Sequence, residues 1–200
     1  MNEKIDRRKR YTRHALKEAL VGLLKEKSIS SITVKELCEM ADINRSTFYG
    51  HYTDPYDLLE KISEEVVDDM YNTLNQYNFN EEEEALQMTE KILEYAAEKS
   101  DLCQVLLSGS ADTTFKRQVM ELTQRIIMKD YMKTMNMQEE ISSYLPLLVL
   151  SGSIDAIENW LVHGQQESPK EMALLIHRFT NYGLMGFVRN ESGKGYSGSN

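Results

Sequence analysis

The side chains with the clearest capacity for recognition chemistry lie in one short stretch, residues 45–49. Arg45, Ser46, Thr47 and Tyr49 offer one cation and three hydroxyl groups, and no acidic residue interrupts them. Hydroxyls and cations of this kind hydrogen-bond to phosphates and to the edges of nucleic-acid bases. The residue types therefore favour nucleic-acid binding, provided that the surrounding elements present them on one face.

A first short helix is expected to begin just before this stretch. Thr33 and Glu36 have the spacing of a capping box, and Ile32 and Leu37 have the spacing of a hydrophobic staple. Together they fix both the start and the entry angle of the helix. The sequence VKELCEMA, residues 34–41, is the expected helix.

A second short helix follows after a tight turn at residues 42–44. Asn44 is a good N-cap, and Ile43 with Phe48 repeats the staple. Two short capped helices joined by three or four residues are typical of a helix-turn-helix. The second helix of that motif enters the major groove of DNA with its N-terminal residues at the base edges.

The helical period separates a buried side from an exposed side in this second helix. At about 100° per residue, Phe48 and Tyr52 fall on the buried side and His51 lies beside them. The outward face consists of Ser46, Tyr49 and Gly50, with Thr47 beside it and Arg45 at the helix start. Every one of these except glycine can hydrogen-bond through its side chain.

Gly50 is an unusual choice for the outward face of a helix. It costs about 1 kcal/mol relative to alanine there, and no core packing would explain the cost. One interpretation is close approach of the backbone to a sugar-phosphate strand. The other is that a short, well-packed helix absorbs the loss.

The whole chain reads as all-α, because prolines are few and the apolar residues repeat with a helical period. The first helix covers residues 11–26, and Asp54 with Pro55 begins a connecting helix over residues 54–77. Further helices are expected at 82–99, 102–107, 113–135, 138–163 and 169–189. Gly164 closes the fourth of these, and Ser168, Pro169 and Glu171 give the last one an N-cap, an N1 proline and a capping-box glutamate. We expect three regions: a basic arm and helix-turn-helix domain at 1–53, a helical regulatory and dimerisation domain at 54–190, and a disordered tail at 191–200.

The charge is distributed unevenly between these regions. The formal net charge is -9, but residues 1–53 hold 11 Lys and Arg against 7 Asp and Glu, a net of +4. Residues 54–200 therefore carry -13. DNA binding requires clustered cations, so the N-terminal region is the part suited to it.

Other classes of protein find no support in the sequence. There is no Gly-rich phosphate loop, nucleophile elbow or helical carboxylate–histidine motif, and His163 and His177 lack partners at metal-ligand spacing. We expect no enzyme, no metal and no cofactor. Cys38 and Cys103 form no disulfide framework, and no signal peptide or membrane span is evident. A soluble, cytoplasmic protein without a membrane partner is expected.

The segment ITVKELCEMADINRSTFYGHYTDPYDLLEKI, residues 32–62, resembles the TetR-type transcriptional regulators. The resemblance lies in a threonine that starts the second helix and an aromatic-Tyr-x-His-aromatic run that ends the third. It implies a three-helix DNA-binding head, a helical body that binds a small molecule, and a homodimer on a palindromic operator. The DNA-binding residues it implies, together with the outward face, are Thr33, Lys35, Arg45, Ser46, Thr47, Tyr49, Gly50 and His51.

One position departs from this family pattern. The family commonly has a lysine at the start of the fourth helix, where this chain has Pro55 between Asp54 and Tyr56. A phosphate contact at that helix start is therefore in doubt. A basic arm could compensate along the minor groove, or it could be a solvated terminus. The arm comprises Arg7, Arg8, Lys9, Arg10 and Arg13.

A second segment, LVLSGSIDAIENWLVHGQQESPKEMA at residues 148–173, resembles a C-terminal domain of many Gram-positive TetR-type regulators. Small residues there suit a dimer interface between helices, although they also pack within monomers: Ser151, Gly152, Ala156 and Gly183. Four further residues could line a pocket for a small apolar or aromatic effector, although such side chains are commonly core: Cys103, Phe115, Tyr131 and Trp160.

These observations favour a DNA-binding regulator, more often a repressor in such families, that a small-molecule effector releases from its operator. The alternative is a helical dimer with the same fold that acts through a protein partner, using its acidic body. The missing cation at Pro55 keeps that alternative open.

Overall fold

The computed structural model describes residues 2–76, 82–109, 111, 113–124 and 144–185 of the 200-residue chain. Every regular element in these ranges is helical, which confirms the all-α prediction. A 3-10 turn at Ile29–Ser31 joins α1 to α2. The helices are α1 Asn2–Leu24, α2 Val34–Ala41, α3 Arg45–Tyr49, α4 Pro55–Leu74, α5 Glu82–Glu98, α6 Ser100–Leu107, α7 Thr114–Thr123, α8 Leu145–Val162 and α9 Pro169–Met185.

The predicted capping box at the start of α2 is confirmed. The Thr33 backbone N–H donates to Glu36 Oε2 at 3.0 Å, and the Glu36 backbone N–H donates to Thr33 Oγ1 at 3.3 Å. Ile32 and Leu37 are both buried, as the staple requires. α2 ends at Asp42, which adopts a left-handed conformation with φ 52°. The chain therefore turns sharply into α3.

The connecting helix α4 begins as predicted. The Asp57 backbone N–H donates to Asp54 Oδ1 at 2.9 Å, and Pro55 occupies the first turn. Along α4, buried Leu58, Ile62 and Val66 belong to one core cluster. The same cluster contains head residues from α1 and α3 and body residues from α6 and α8. α4 thus joins the head and body through continuous apolar packing.

The body is built around α5, α6, α8 and α9, with α9 lying along α5. Gly164 ends α8 in a left-handed conformation with φ +81°, as the sequence predicts. The Ser168 backbone N–H donates to Glu171 Oε2 at 2.8 Å, which confirms the capping box at the start of α9. Leu93, Leu161 and Ala173 have no exposed surface.

Two ion pairs and the long α1 helix tie the head to the body. Lys17 Nζ lies 3.4 Å from Glu65 Oε2 on α4, and Lys25 Nζ lies 2.7 Å from Asp101 Oδ1 on α6. Both pairs are solvent-exposed, so each contributes at most about 1 kcal/mol. Their geometric role is to fix how α1 crosses the two neighbouring helices.

The first helix starts earlier than predicted and includes the basic arm. Residues 2–10 are part of α1, so Arg7, Arg8, Lys9 and Arg10 occupy helical turns. Lys, Arg and Glu are good helix formers, and no proline or glycine interrupts this stretch. α1 therefore extends nine residues beyond the start at residue 11 that the apolar period predicts.

The other predicted helices agree with the structure where it describes them. The connecting helix ends at Leu74 rather than at residue 77. Residues 125–143, which include the end of one predicted helix and the start of the next, and the predicted tail at 191–200 lie outside the described residues. Within the ranges that are described, no helix is long and apolar enough to cross a membrane.

Candidate nucleic-acid interface

The exposed face of α3 is the one that the helical period predicts. Phe48 is fully buried, whereas Tyr49 beside it is 60% exposed. Their rings meet edge to face, with centroids 5.6 Å apart. This contact steadies the Tyr49 ring while its hydroxyl remains in solvent. Arg45, Ser46 and Thr47 are exposed as well.

Asn44 orients the start of this face. Its Oδ1 accepts from the Ser46 backbone N–H at 3.1 Å and from the Ser46 hydroxyl at 3.3 Å. The proton of the Ser46 hydroxyl is therefore engaged, and its oxygen can accept a hydrogen bond from a base amino group. Arg45 and Tyr49 remain the strongest donors on α3.

Thr33 is less available for a phosphate than the family pattern implies. Its backbone N–H and its hydroxyl both donate to Glu36 Oε2, at 3.0 and 2.8 Å. Hydrogen bonds from Lys27 and Thr33 lower the pKa of Glu36 to about 2, so the carboxylate is ionised at neutral pH. A phosphate contact by Thr33 stays a prediction, and it requires these donors to leave Glu36.

Lys35 is exposed on α2, and its Nζ lies 3.8 Å from Glu39 Oε1. An exposed pair at this distance is weak. The ammonium group can therefore leave Glu39 for a phosphate at little cost.

Gly50 does not lie inside the helix, as the sequence argument assumes, but caps its C-terminal end. A Cβ atom at this position would lie 3.3 Å from the Thr47 carbonyl oxygen and 3.6 Å from that of Ser46. The first of these contacts is tight for a Cβ atom, so a larger residue would require the Thr47 carbonyl to shift by a few tenths of an ångström. Close approach to a DNA strand remains an additional prediction.

His51 follows α3 and is half-buried. Burial lowers the pKa of its imidazole, and the positive charges of Arg13, Lys9 and Lys61 lower that pKa further. The residue is therefore neutral at pH 7, with a ring N–H able to donate. Positive charge from α1 and α4 therefore acts on the residue that the family pattern assigns to a phosphate contact.

Lys61 is a feature of this surface that the sequence analysis missed. Its Nζ donates to the His51 carbonyl oxygen at 3.3 Å and lies 5.2 Å from the centroid of the Tyr52 ring. It also pairs with Asp57 Oδ1 at 3.0 Å. The i,i+4 spacing of Asp57 and Lys61 could have indicated the pair, but no pattern in the sequence indicates the contact with His51.

Pro55 is buried, and the described residues place no cation at the first turn of α4. The first turn instead carries Asp54 and Asp57, whose carboxylates accept from the backbone N–H groups of Asp57 and Thr53. With Pro55 in place of the lysine that is common in the family, the start of α4 is acidic instead of basic. The nearest cation that α4 offers to this end of α3 is Lys61.

Residues 83–182, half of the chain, match the TetR_C_8 family model, described as the C-terminal region of a transcriptional regulator. The chain belongs to the TetR family of transcriptional regulators. The matched region is the helical body from α5 to α9. The head geometry described above is what such a regulator requires at its other end.

Solved TetR-family structures share this fold over nearly the whole chain. A regulator from Streptococcus agalactiae aligns with 90% of this chain and 99% of its own, at 22% identity and a TM-score of 0.68. One from Syntrophomonas wolfei covers 91% and 100%, at 18% identity and a TM-score of 0.67.

A curated relative is the uncharacterized HTH-type transcriptional regulator YxbF of Bacillus subtilis. It is 39% identical over 51 residues, which make up 26% of this chain. The match spans 13% of the length of that relative. The likeness is thus confined to one segment.

The residues predicted to line an effector pocket in this TetR-family body lie in its core. Cys103, Phe115 and Trp160 are each about 5% exposed or less, and burial raises the pKa of the Cys103 thiol to about 11. The indole N–H of Trp160 donates to the Glu167 carbonyl oxygen at 2.9 Å. Tyr131 lies outside the described residues. The pocket stays a prediction, and core packing accounts for these three side chains.

The predicted dimer residues lie on an exposed apolar surface of the last two helices. Ser151, Gly152 and Gly183 are exposed and Ala156 is partly so. The same two helices also carry large apolar side chains with more than half of their surface exposed. On α8 these are Leu148 and Val162, and on α9 they are Leu175, Phe179 and Tyr182. Exposed large apolar side chains that share a helix face commonly mark protein interfaces.

Within the described ranges, no three His, Cys, Asp or Glu side chains gather in a way that could hold a metal ion.

Proposed function

We propose that this TetR-family regulator binds a palindromic double-stranded DNA operator as a homodimer and represses transcription. Residues 1–53 would bind the DNA, and residues 54–190 would dimerise and regulate. The observation that carries the proposal is the division of α3 and the turn after it into a buried side and an exposed side. Phe48 and Tyr52 anchor the buried side in the core, and the exposed side presents Arg45, Thr47 and Tyr49. The same proposal places the protein in the cytoplasm and assigns it no catalytic activity.

The charge distribution supports this orientation on DNA. The head carries +4 and the remaining chain -13, so phosphates attract the head and repel the body. Binding through α3 therefore places the acidic body away from the duplex.

The exposed apolar surface on α8 and α9 supports the proposed dimer. Leu175, Phe179 and Tyr182 are 58–78% exposed on a single face of α9. Burying such side chains contributes about 25 cal/mol per Å² of apolar surface. A second copy related by a twofold axis would bury the same patch and set two heads on half-sites about 34 Å apart.

Release by a small apolar or aromatic effector would work by a shift of population. An effector that binds the body better when the heads are badly spaced weakens operator binding by the ratio of its two affinities. α4 and the two ion pairs of α1 with α4 and α6 provide the physical connection between body and heads.

The experiment is fluorescence polarisation of a labelled operator selected by the protein itself, using Tyr49→Phe. Losing one hydrogen bond to a charged phosphate costs about 1.5–3 kcal/mol, so affinity should fall by about 10- to 100-fold. Tyr144→Phe removes a hydroxyl from a similarly exposed tyrosine at the start of α8, which belongs neither to α3 nor to the residues assigned to the dimer surface, and should leave affinity unchanged. Equal affinities for the wild type and Tyr49→Phe would contradict the proposed contact.

The alternative, a helical dimer that acts through a protein partner, draws support from the buried Pro55 and the acidic first turn of α4. On that account the chain would recognise no DNA sequence. Lys61, Arg13 and Lys9 act against it, because they restore positive charge beside α3.

A further inference from the structure

The exposed face of α8 carries one charge among its described residues, and that charge belongs to Asp155. Leu148 and Val162 lie two helical turns before and after it, so at about 100° per residue the three side chains share one side of the helix. Leu148 is 67% exposed, Val162 is 57% exposed, and the side chain of Asp155 is 70% exposed. The carboxylate therefore lies at the centre of a face that is otherwise uncharged.

The charge of Asp155 is only partly neutralised within its own chain. Lys116 of α7 places its Nζ 3.3 Å from Asp155 Oδ1 and 2.6 Å from Glu158 Oε2. One ammonium group thus serves two carboxylates, and the shorter contact belongs to Glu158. Burial of Asp155 in an interface without a further cation would leave an uncompensated negative charge, which is unfavourable.

The exposed face of α9 carries the opposite charge. Arg178 is exposed and lies between Leu175 and Tyr182, which are 58% and 78% exposed on the same side of the helix. Arg178 forms no ion pair with any residue in the described part of the chain. The other exposed charged residues described on α9, Lys170 and Glu171, lie in its first turn, where Glu171 is engaged in the capping box. Arg178 is therefore the cation that this face offers to a partner.

Both charges lie near the middle of their helices. α8 spans Leu145–Val162 and α9 spans Pro169–Met185, so residues 155 and 178 are each within two residues of the midpoint. A twofold axis through the centre of the shared patch brings the middle of each helix close to the middle of a helix of the second copy. If α8 met α8 and α9 met α9, like charges would face each other and repel. If α8 met α9 of the other copy, opposite charges would face each other.

We propose that each α8 packs against α9 of a second copy, so that Asp155 of one chain pairs with Arg178 of the other, twice in the dimer. This inference rests on the homodimer of the proposed function and adds to it the helix arrangement and the residues that select the partner. A guanidinium group can donate two parallel hydrogen bonds to a carboxylate, and it supplies the counter-charge that Lys116 divides between two acids. A chain with a similar apolar face but other charges is rejected, because it leaves both groups unpaired.

The test measures the dimer Kd of the full chain by sedimentation equilibrium for the wild type, two single charge reversals and their combination. Asp155→Arg and Arg178→Asp each set like charges opposite one another, so each should raise the dimer Kd by about tenfold or more. The double variant sets opposite charges together again and should return the Kd to within about threefold of the wild type. An arrangement of α8 against α8 predicts no such pattern, because a single reversal there leaves the number of like-charge pairs unchanged.

Lys170→Asp is the matched control, because it reverses a charge on α9 at about 140° around the helix from Leu175, and it should leave the dimer Kd unchanged. The double variant controls for damage within one chain, since Arg178→Asp cannot repair a lost contact between Asp155 and Lys116. Wild-type Kd values in both single variants, or a double variant as weak as the single ones, would overturn the pairing and leave the proposed dimer intact. A wild-type chain that sediments as a monomer would overturn the proposed dimer, and the pairing with it.

Discussion

Phe48 and Tyr49 are adjacent residues with different roles. Phe48 packs in the core, and Tyr49 lies on the face that we propose contacts DNA. Phe48 has no exposed surface and Tyr49 has 60% of its surface in solvent. The helical period predicts this division directly, since neighbouring residues point about 100° apart. It could not predict the contact between Lys61 and His51, because two residues ten positions apart meet only once α4 has packed against the end of α3.

The hydrogen bonds that Glu36 accepts in the head depend on pH. Glu36 accepts from Lys27 and Thr33, and its pKa is lowered from 4.5 to about 2. A carboxyl whose pKa is lower in the folded state stabilises the fold above its unfolded pKa and loses that contribution as pH falls toward its folded pKa. The contribution of Glu36 is therefore lost between about pH 4.5 and pH 2.

Glu36→Gln should accordingly lower the free energy of unfolding at pH 7 and make it less steeply dependent on pH below 4.5. Urea unfolding at a series of pH values measures both effects. Glu39→Gln is the control, because it removes the same charge from the same helix where the nearest cation is 3.8 Å away. Identical acid profiles for the wild type and Glu36→Gln would show that these hydrogen bonds do not act as described.

At the scale of helices, capping signals predicted helix starts well, whereas the apolar period alone missed the start of α1. The starts of α2, α3, α4 and α9 follow from Thr33, Asn44, Asp54 and Ser168. The start of α1 does not, because an apolar period marks only the part of a helix that packs against a core. Residues 7–10, all of them charged, are helical without being buried.

The capping box of α2 is expected to stabilise the folded head. Thr33→Ala should lower the free energy of unfolding by about 1 kcal/mol, since it removes the hydroxyl that accepts from the Glu36 backbone N–H and donates to the Glu36 carboxylate. Thr33→Ser keeps that hydroxyl and should restore most of the loss. Chemical denaturation of the wild type, Thr33→Ala and Thr33→Ser measures these differences in the free energy of unfolding. A Thr33→Ala protein as stable as the wild type would mean that the cap contributes nothing to stability.

At the scale of the whole molecule, two exposed surfaces are proposed to bind partners. The polar surface of α3 contacts DNA, and the apolar surface of α8 and α9 contacts a second copy of the chain. A monomer would leave Leu148, Leu175, Phe179 and Tyr182 in water. The sequence predicted the small residues of this surface from their type. The large ones could not be separated from core residues by sequence, because their exposure depends on which faces α5 and α6 cover.

In the proposed dimer, Phe179→Glu should separate the two copies into monomers, because two charged residues would be brought toward the twofold interface without partners. Sedimentation velocity measures the change directly. Tyr11→Glu, at a similarly exposed aromatic on α1, should leave the protein dimeric. A Phe179→Glu protein that sediments as the wild-type dimer would place the interface elsewhere.

Selection from random double-stranded DNA measures whether this chain recognises a defined DNA sequence through α3. The full-length protein is incubated with a randomised library, and the bound fraction is amplified and sequenced over several rounds. We expect enrichment of one palindrome with half-site centres about 10 base pairs, or a multiple of that helical repeat, apart. Recovery of a library in which no sequence is enriched over the starting pool would contradict DNA recognition by α3 and favour a protein partner.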